Sequence, residues 1–186
     1  MKTRSVIFLL FVLINSAFGQ DFLEIDTTRF IEWEEGRPLT WADYQIKTDI
    51  DHEESAYALT SVIHSVRGGL INNKPNFRVH VLYVKRDSWS TTNQNQSLLA
   101  HERLHFDLAE LYGRKIRKEI ESLGRQGDQD LINYKKRIGW FLNEFKSKSI
   151  EYDNETNHGQ LKERQQIWNE FVAYELNRLH KYKITY

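Results

Sequence analysis

LLAHERLHFDLAELYGRKIRKEIESLG, residues 98–124, decides how the rest of this chain is read. Leu98, His101, His105, Leu108, Tyr112, Ile116, Ile120 and Leu123 recur at steps of three and four, which lays a single stripe along a helix. Gly124 supplies the stop signal. Downstream, the spacing predicts a second helix from about Leu131 to Phe145, with Ile138, Phe141, Leu142 and Phe145 inward. A polar loop, Glu151 to Gly159, is expected next. It leads to a third helix ending near His180, with Ile167, Trp168, Phe171, Val172 and Leu179 as core candidates.

Upstream of residue 90 the period changes from helical to strand-like. Ala56 to Val66 alternates, with Ala58, Thr60, Val62, His64 and Val66 on one face. Phe77, Val79, Val81 and Tyr83 are again in phase. Gly68-Gly69 and Asn72-Asn73-Lys74-Pro75-Asn76 lie between, a turn-rich link that suits two antiparallel strands. Phe22 to Trp33 offers a further strand. Strands followed by helices in 186 residues predict one α+β domain.

Composition narrows the function classes. With 26 basic and 26 acidic side chains there is no positive excess to neutralise phosphates, so nucleic acid is not an expected partner. Lys2 and Arg4, the apolar run Val6 to Ile14, and Ala17-Phe18-Gly19 have the order of a signal peptide over residues 1–19. That run is too short to span a bilayer, which needs roughly 20 apolar residues. The expectation is export to the periplasm or medium, a mature domain over 20–186, and no stable membrane insertion. There is no cysteine. Disulfides, thiolate catalysis and Cys-ligated zinc are therefore excluded, and any metal site must use histidine and carboxylate.

His101-Glu102-Arg103-Leu104-His105 supplies such a site in outline. Residues four apart on a helix project from the same side, so both imidazoles can reach one metal, with zinc the expected ion. Glu102, beside the first histidine but off the metal, is placed to act as general base. A third ligand must come from elsewhere. Leu108 and Leu111 stand where a metzincin has glycine and histidine, so that extension is absent. Glu110 and Glu144 are poorly placed. His158 is the better candidate, because Gly159 lets the backbone approach closely. Asp153 is the alternative, as ligand or as acceptor for an imidazole N–H. Tyr152 and Tyr112 are candidate phenols for an oxyanion, and equally candidates for the core. His52, His64 and His80 lack metal-like spacing.

Five blocks occur in order: Leu39-Thr40-Trp41-Ala42-Asp43-Tyr44, Ser88-Trp89, Leu98 to Asp107, Tyr152-Asp153-Asn154-Glu155-Thr156-Asn157-His158-Gly159, and Gln165-Gln166-Ile167-Trp168. Together they resemble a bacterial secreted family, domain of unknown function nine hundred and twenty-two, described as predicted zinc-dependent proteases. The resemblance spans about residues 30 to 175. It implies a zincin-like metal-peptidase site and strengthens His158 as third ligand.

The reading is an exported zinc peptidase acting on a peptide or protein, with His101, His105 and His158 on the metal and Glu102 as base. By analogy of fold, Phe77 to Lys85 is the strand expected to pair with an extended substrate. Two rivals stand beside it. One is a non-catalytic metal-binding or envelope scaffold protein that keeps the site for stability. The other is a metal-free binding module with buried histidines.

Overall fold

The computed structural model describes residues 25–47 and 57–184. The expected signal peptide and His52 lie outside the described residues. Asn95 starts the first helix by accepting the Leu98 N–H on its side chain at 3.0 Å. That helix, α1, runs Gln96–Arg125 and carries His101, Glu102 and His105 in its first turns. The stripe Leu98 to Ile120 is buried, but so are Leu104, Phe106, Ala109 and Leu111 off the stripe. A helix packed on one face cannot bury these. A sheet covers one side of α1 and two further helices cover others. Gly124 and Gly113 allow close approach: a Cβ there would lie 2.5 Å from Cγ of Pro75 and 2.6 Å from Cγ2 of Val81, respectively, both on the sheet.

The main sheet has the order β1-β5-β4, all antiparallel, from β1 (Phe30–Glu32), β4 (Val62–Ile71) and β5 (Lys74–Val84). Val62, His64 and Val66 face inward opposite Val79, Val81 and Tyr83, as the alternation predicts. The turn is tighter than expected. Ile71 pairs with Lys74, and Asn72 and Asn73 take φ of 50° and 60°, the left-handed pair of a two-residue hairpin. Gly68 and Gly69 therefore belong to β4, not to a link.

The expected strand from Ala56 to Val66 is broken in two. β3 (Ala58–Leu59) joins a small second sheet of order β2-β6-β3, with β2 at Gln45–Ile46 and β6 at Trp89–Ser90. The break falls at Thr60-Ser61, where buried hydroxyl groups take part in the bonding. Tyr44 and Thr60 share a hydrogen bond of 2.7 Å, and the Ser61 N–H donates to Ser88 Oγ at 3.0 Å.

β5 also differs in role from the substrate-pairing strand expected at Phe77 to Lys85. It is the middle strand: β4 occupies one edge throughout, and β1 pairs along Leu82–Val84 on the other. Beyond β1 that second edge is used by the Trp33 N–H, which donates to Val81 O, and by Arg117, which donates to Val79 O.

α2 runs Leu131–Thr156, capped by Asp130, and α3 runs Lys162–Arg178. The segment expected as a loop from Glu151 is thus helical as far as Thr156. Phe145, Ser149, Tyr152 and Thr156 are its buried stripe, hidden from a hydrophobicity reading because Ser149 and Thr156 are small and polar. α3 is rotated relative to expectation. Gln165, Trp168 and Val172 face inward, whereas Ile167 and Phe171 are exposed. No helix among the described residues is long and apolar enough to cross a membrane.

His64 joins the sheet to α1 and α2. Its Nε2–H donates to Ala109 O at 2.8 Å and its ring meets Phe145 edge-on. Burial drives its pKa down to about 4, aided by Arg117 and opposed by the Ala109 bond. The unfolded chain therefore takes up this proton near 6.5, and the folded one only near 4. Stability from this group is complete above pH 6.5 and lost as pH falls toward 4, by about 3 kcal/mol. In His64→Gln, which keeps a donor, the stability difference from wild type should change by that order across this window. Denaturant titrations of metal-free protein at pH 4.5 and 7 measure it. A constant difference would remove His64 from the acid response.

Candidate metal centre

The centre forms where the first turns of α1 face the last turns of α2. His101, Glu102 and His105 are all buried, at 1%, 4% and 7% exposure. Asp153, one residue after the fully buried Tyr152, brings a carboxylate oxygen between the two imidazoles. Its Oδ1 lies 3.1 Å from His101 Nε2 and 2.9 Å from His105 Nε2. α2 then ends in a reversal that carries His158 back over the same oxygen. Asn157, His158 and Gly159 are three consecutive left-handed residues, with φ of 48°, 54° and 79°. The His158 N–H closes onto Asp153 O at 2.9 Å, and Thr156 Oγ1 accepts the Gly159 N–H at 3.1 Å. His158 Nδ1 comes to rest 3.8 Å from Asp153 Oδ1, on an exposed side chain.

Three imidazoles thus surround one carboxylate oxygen. Donor atoms on a tetrahedral zinc with bonds of about 2.0–2.1 Å lie about 3.3 Å apart. The separations from Asp153 Oδ1 bracket that value, and the ligand atoms of His101, Asp153 and His158 all lie within 4.8 Å of one another. This donor set can hold a metal ion.

Electrostatics favour a cation among these groups. Burial by itself pushes the Asp153 carboxyl up. The charge and hydrogen bonds of His105 and His101 outweigh it and hold the group well below the usual carboxylate range. Burial pulls the His105 imidazole down, but Asp153, with help from Glu102, reverses this, and the net displacement is upward. Without metal, the Asp153 contribution is present above pH 4 and lost as pH falls through its lowered pKa. That of His105 is present below pH 6.5 and fades as pH rises through its raised one. A metal must displace the imidazole proton, so its affinity falls on acidification.

The backs of the imidazoles are held too. His101 Nδ1 lies 3.2 Å from Gln165 Oε1, and His105 Nδ1 lies 3.0 Å from Ser149 Oγ. Tyr152 stacks on His101 with centroids 4.5 Å apart, and its single hydroxyl hydrogen is directed at Gln165 Oε1 (2.8 Å), with His101 O also in reach at 3.1 Å. That hydroxyl is committed to holding His101 and is not presented to a substrate. Tyr112, the other candidate phenol, lies down α1 in the core against Phe145, with its pKa pushed by burial to about 12. Glu110 is buried but bound to Arg114 and Arg117, and Glu144 is exposed on α2. Glu102 differs from both: the residue is buried, but its carboxylate makes no hydrogen bond among the described residues.

Sequence reasoning missed Gln165 and Ser149. Both occupy the inward stripe of their helices beside Trp168 and Phe145, and a polar residue at a core position was the available signal. A cavity of about 490 Å³ on the other flank of α1, lined by Trp33, Leu39, Arg103, Asp107, Asn169 and Leu176, contains none of the metal-binding candidates.

Gly159 makes the closest backbone approach. A Cβ there would lie 2.7 Å from His101 Cβ and 2.9 Å from Cγ, at a φ where side chains are strained. Gly159→Ala should lose more than about 1 kcal/mol of stability and weaken metal binding by displacing the ring. Denaturant unfolding and metal titration read the two effects. Wild-type values in both would mean the reversal is looser than this packing requires.

Residues 24–159 match a known family, a span covering β1 through the His158 reversal and ending before Gln165. No relative among curated proteins and no solved structure matches the chain. With well over half of its length matched, the chain belongs to the family described as Bacterial protein of unknown function (DUF922).

Proposed function

We propose that this protein is an exported zinc-dependent metallopeptidase with a zincin-like centre, hydrolysing an amide bond in a peptide or protein. The observation that carries the reading is Glu102. It is a carboxylate at 4% exposure, without a hydrogen bond among the described residues, next to imidazoles that converge on one point. A carboxylate at the edge of such a group, not tied up by a protein hydrogen bond, is available for proton transfer.

His101, His105, Asp153 and His158 are the groups that would hold zinc. Imidazole and carboxylate donors without thiolate suit that ion. Zinc bound there supplies Lewis-acid chemistry, acidifying water and polarising an amide carbonyl. Glu102 takes the proton from the attacking water and delivers it to the leaving amine. Tyr152 stacks on His101, and Gly159 packs against its Cβ and Cγ. His158, exposed and furthest from Asp153 Oδ1, is the donor that can yield its place to substrate. Export rests on the order of charge, apolar run and small residues in 1–19.

One observation favours a second reading. The ligand atoms of His101, Asp153 and His158 form one close group, and were His105 to join them, four protein donors would close the site, as structural sites are closed. In a cysteine-free domain, zinc would then contribute folding energy to a non-catalytic envelope protein.

Metal content and turnover separate the two. Purified without chelators, the protein should hold one zinc per chain. His101→Ala and Asp153→Ala should lose it, and His158→Ala should retain it more weakly. Glu102→Gln should keep zinc and lose roughly 10²–10⁴-fold in peptide hydrolysis. Removing zinc should lower stability by about 4 kcal/mol relative to protein at a thousandfold excess over its dissociation constant. Zinc binding with no hydrolysis of any peptide pool would leave the structural reading. A wild-type chain that takes up no zinc sinks both.

A further inference from the structure

The histidine pair is treated differently at its two backs. Ser149 Oγ, beside His105, is a hydroxyl that donates or accepts with equal ease and imposes nothing on the ring. Gln165, beside His101, is an amide with one donating and one accepting end. Its donating end is taken: Nε2 donates to Asn169 Oδ1 at 2.9 Å, one turn further along α3. The accepting end therefore faces the centre, where Oε1 receives the Tyr152 hydroxyl at 2.8 Å and lies 3.2 Å from His101 Nδ1.

An oxygen that only accepts requires the proton of His101 on Nδ1. That leaves Nε2 as the atom facing Asp153 Oδ1, where it donates while protonated and offers its lone pair once a metal takes the place of that proton. With the amide turned over, its NH₂ would face Nδ1. The ring proton would then have to sit on Nε2, the one atom a metal needs. Inversion would set Oε1 against Asn169 Oδ1 unless that amide turned as well, and would take Oε1 away from the Tyr152 hydroxyl, so both partners oppose it. Tyr152, stacked on the ring and bonded to the same Oε1, fixes the plane in which the Nδ1–H must point.

We infer that Gln165, oriented by Asn169, is the positioning residue that sets the His101 tautomer for metal binding, so that α3 belongs to the metal centre. This deepens the metal reading above and rests on it. Both residues lie beyond the span 24–159 that defines the family match. The matched segment contains the ligands but not the group that prepares one of them.

The test uses the full chain and zinc alone as probe. Zinc dissociation constants from chelator competition are measured for wild type, Gln165→Leu, Gln165→Glu and Asn169→Ala, with nitrogen-resolved NMR of the His101 ring in metal-free protein. Gln165→Leu, which removes the acceptor, should weaken zinc binding roughly 10–100-fold and deplete the His101 Nδ1–H signal in metal-free protein, leaving the Nε2–H form. Gln165→Glu, which restores an accepting oxygen, should recover most of the affinity. Asn169→Ala should weaken binding less than Gln165→Leu and broaden the tautomer signal. Should Gln165→Leu fail to fold, the Glu and Asn169 variants still decide. A packing role alone would lower the melting temperature of these variants with zinc affinity and ring nitrogens unchanged, and that result overturns the inference while leaving the metal site standing. A wild-type protein that binds no zinc overturns the metal reading itself, and this one with it.

Discussion

A helix covered on most sides must settle its own charges without water, and α1 is arranged around that constraint. Its lower half does so internally. Glu110 accepts from Arg114 Nε and Arg117 Nη1, both at 2.9 Å. The arginines then satisfy carbonyls on three other elements: Val79 on β5, Leu176 on α3 and Tyr182 near the C-terminus. Each buried charge there has its opposite and its hydrogen bonds, which is the condition under which burial is tolerated. The same network draws the sheet, α3 and the C-terminal segment onto α1.

The upper half of the same helix is settled differently. Two imidazoles share one oxygen from another helix, and Glu102 between them has no hydrogen bond among the described residues. Glu110 shows that this sequence can neutralise a buried glutamate with neighbouring arginines. Arg103, one position from Glu102, points instead to Leu39 O on another segment. The charge at Glu102 is instead felt by His105 and by the phenols of Tyr44, Tyr83 and Tyr152, each displaced upward, with burial as the larger cause for the phenols. Incomplete pairing next to convergent donors is the structural argument for chemistry at this end.

The sequence made some of this legible for physical reasons. α1 was readable because its apolar spacing is long and unbroken, and β4 and β5 because their inward positions are β-branched or aromatic. The departures in strand and helix boundaries around β3, α2 and α3 share one cause. At Thr60-Ser61, at Ser149 and Thr156, and at Gln165, a polar residue sits where the hydrophobic pattern requires an apolar one. A period read from hydrophobicity loses its phase at each. That is how α2 came to be expected to stop at Phe145 and α3 to bury Ile167 and Phe171. Within the centre, spacing on one helix revealed His101, Glu102 and His105. The central place of Asp153 was not legible, because it depends on how α2 meets α1, a contact between residues about fifty apart.

These polar interruptions are not scattered. Ser149 and Gln165 each lie behind one of the two α1 histidines, and Thr156 holds the reversal that brings Gly159 against His101. Polar residues in a core are retained where every hydrogen bond is made, and here the partner is the back of an imidazole or the backbone beside it. The positions that spoil the helical pattern are therefore the ones that build the centre. Ile167 and Phe171 stay exposed on α3 because the inward place in their register is held by Gln165. A fold optimised for apolar packing alone would have turned α3 to bury them and left His101 without its acceptor.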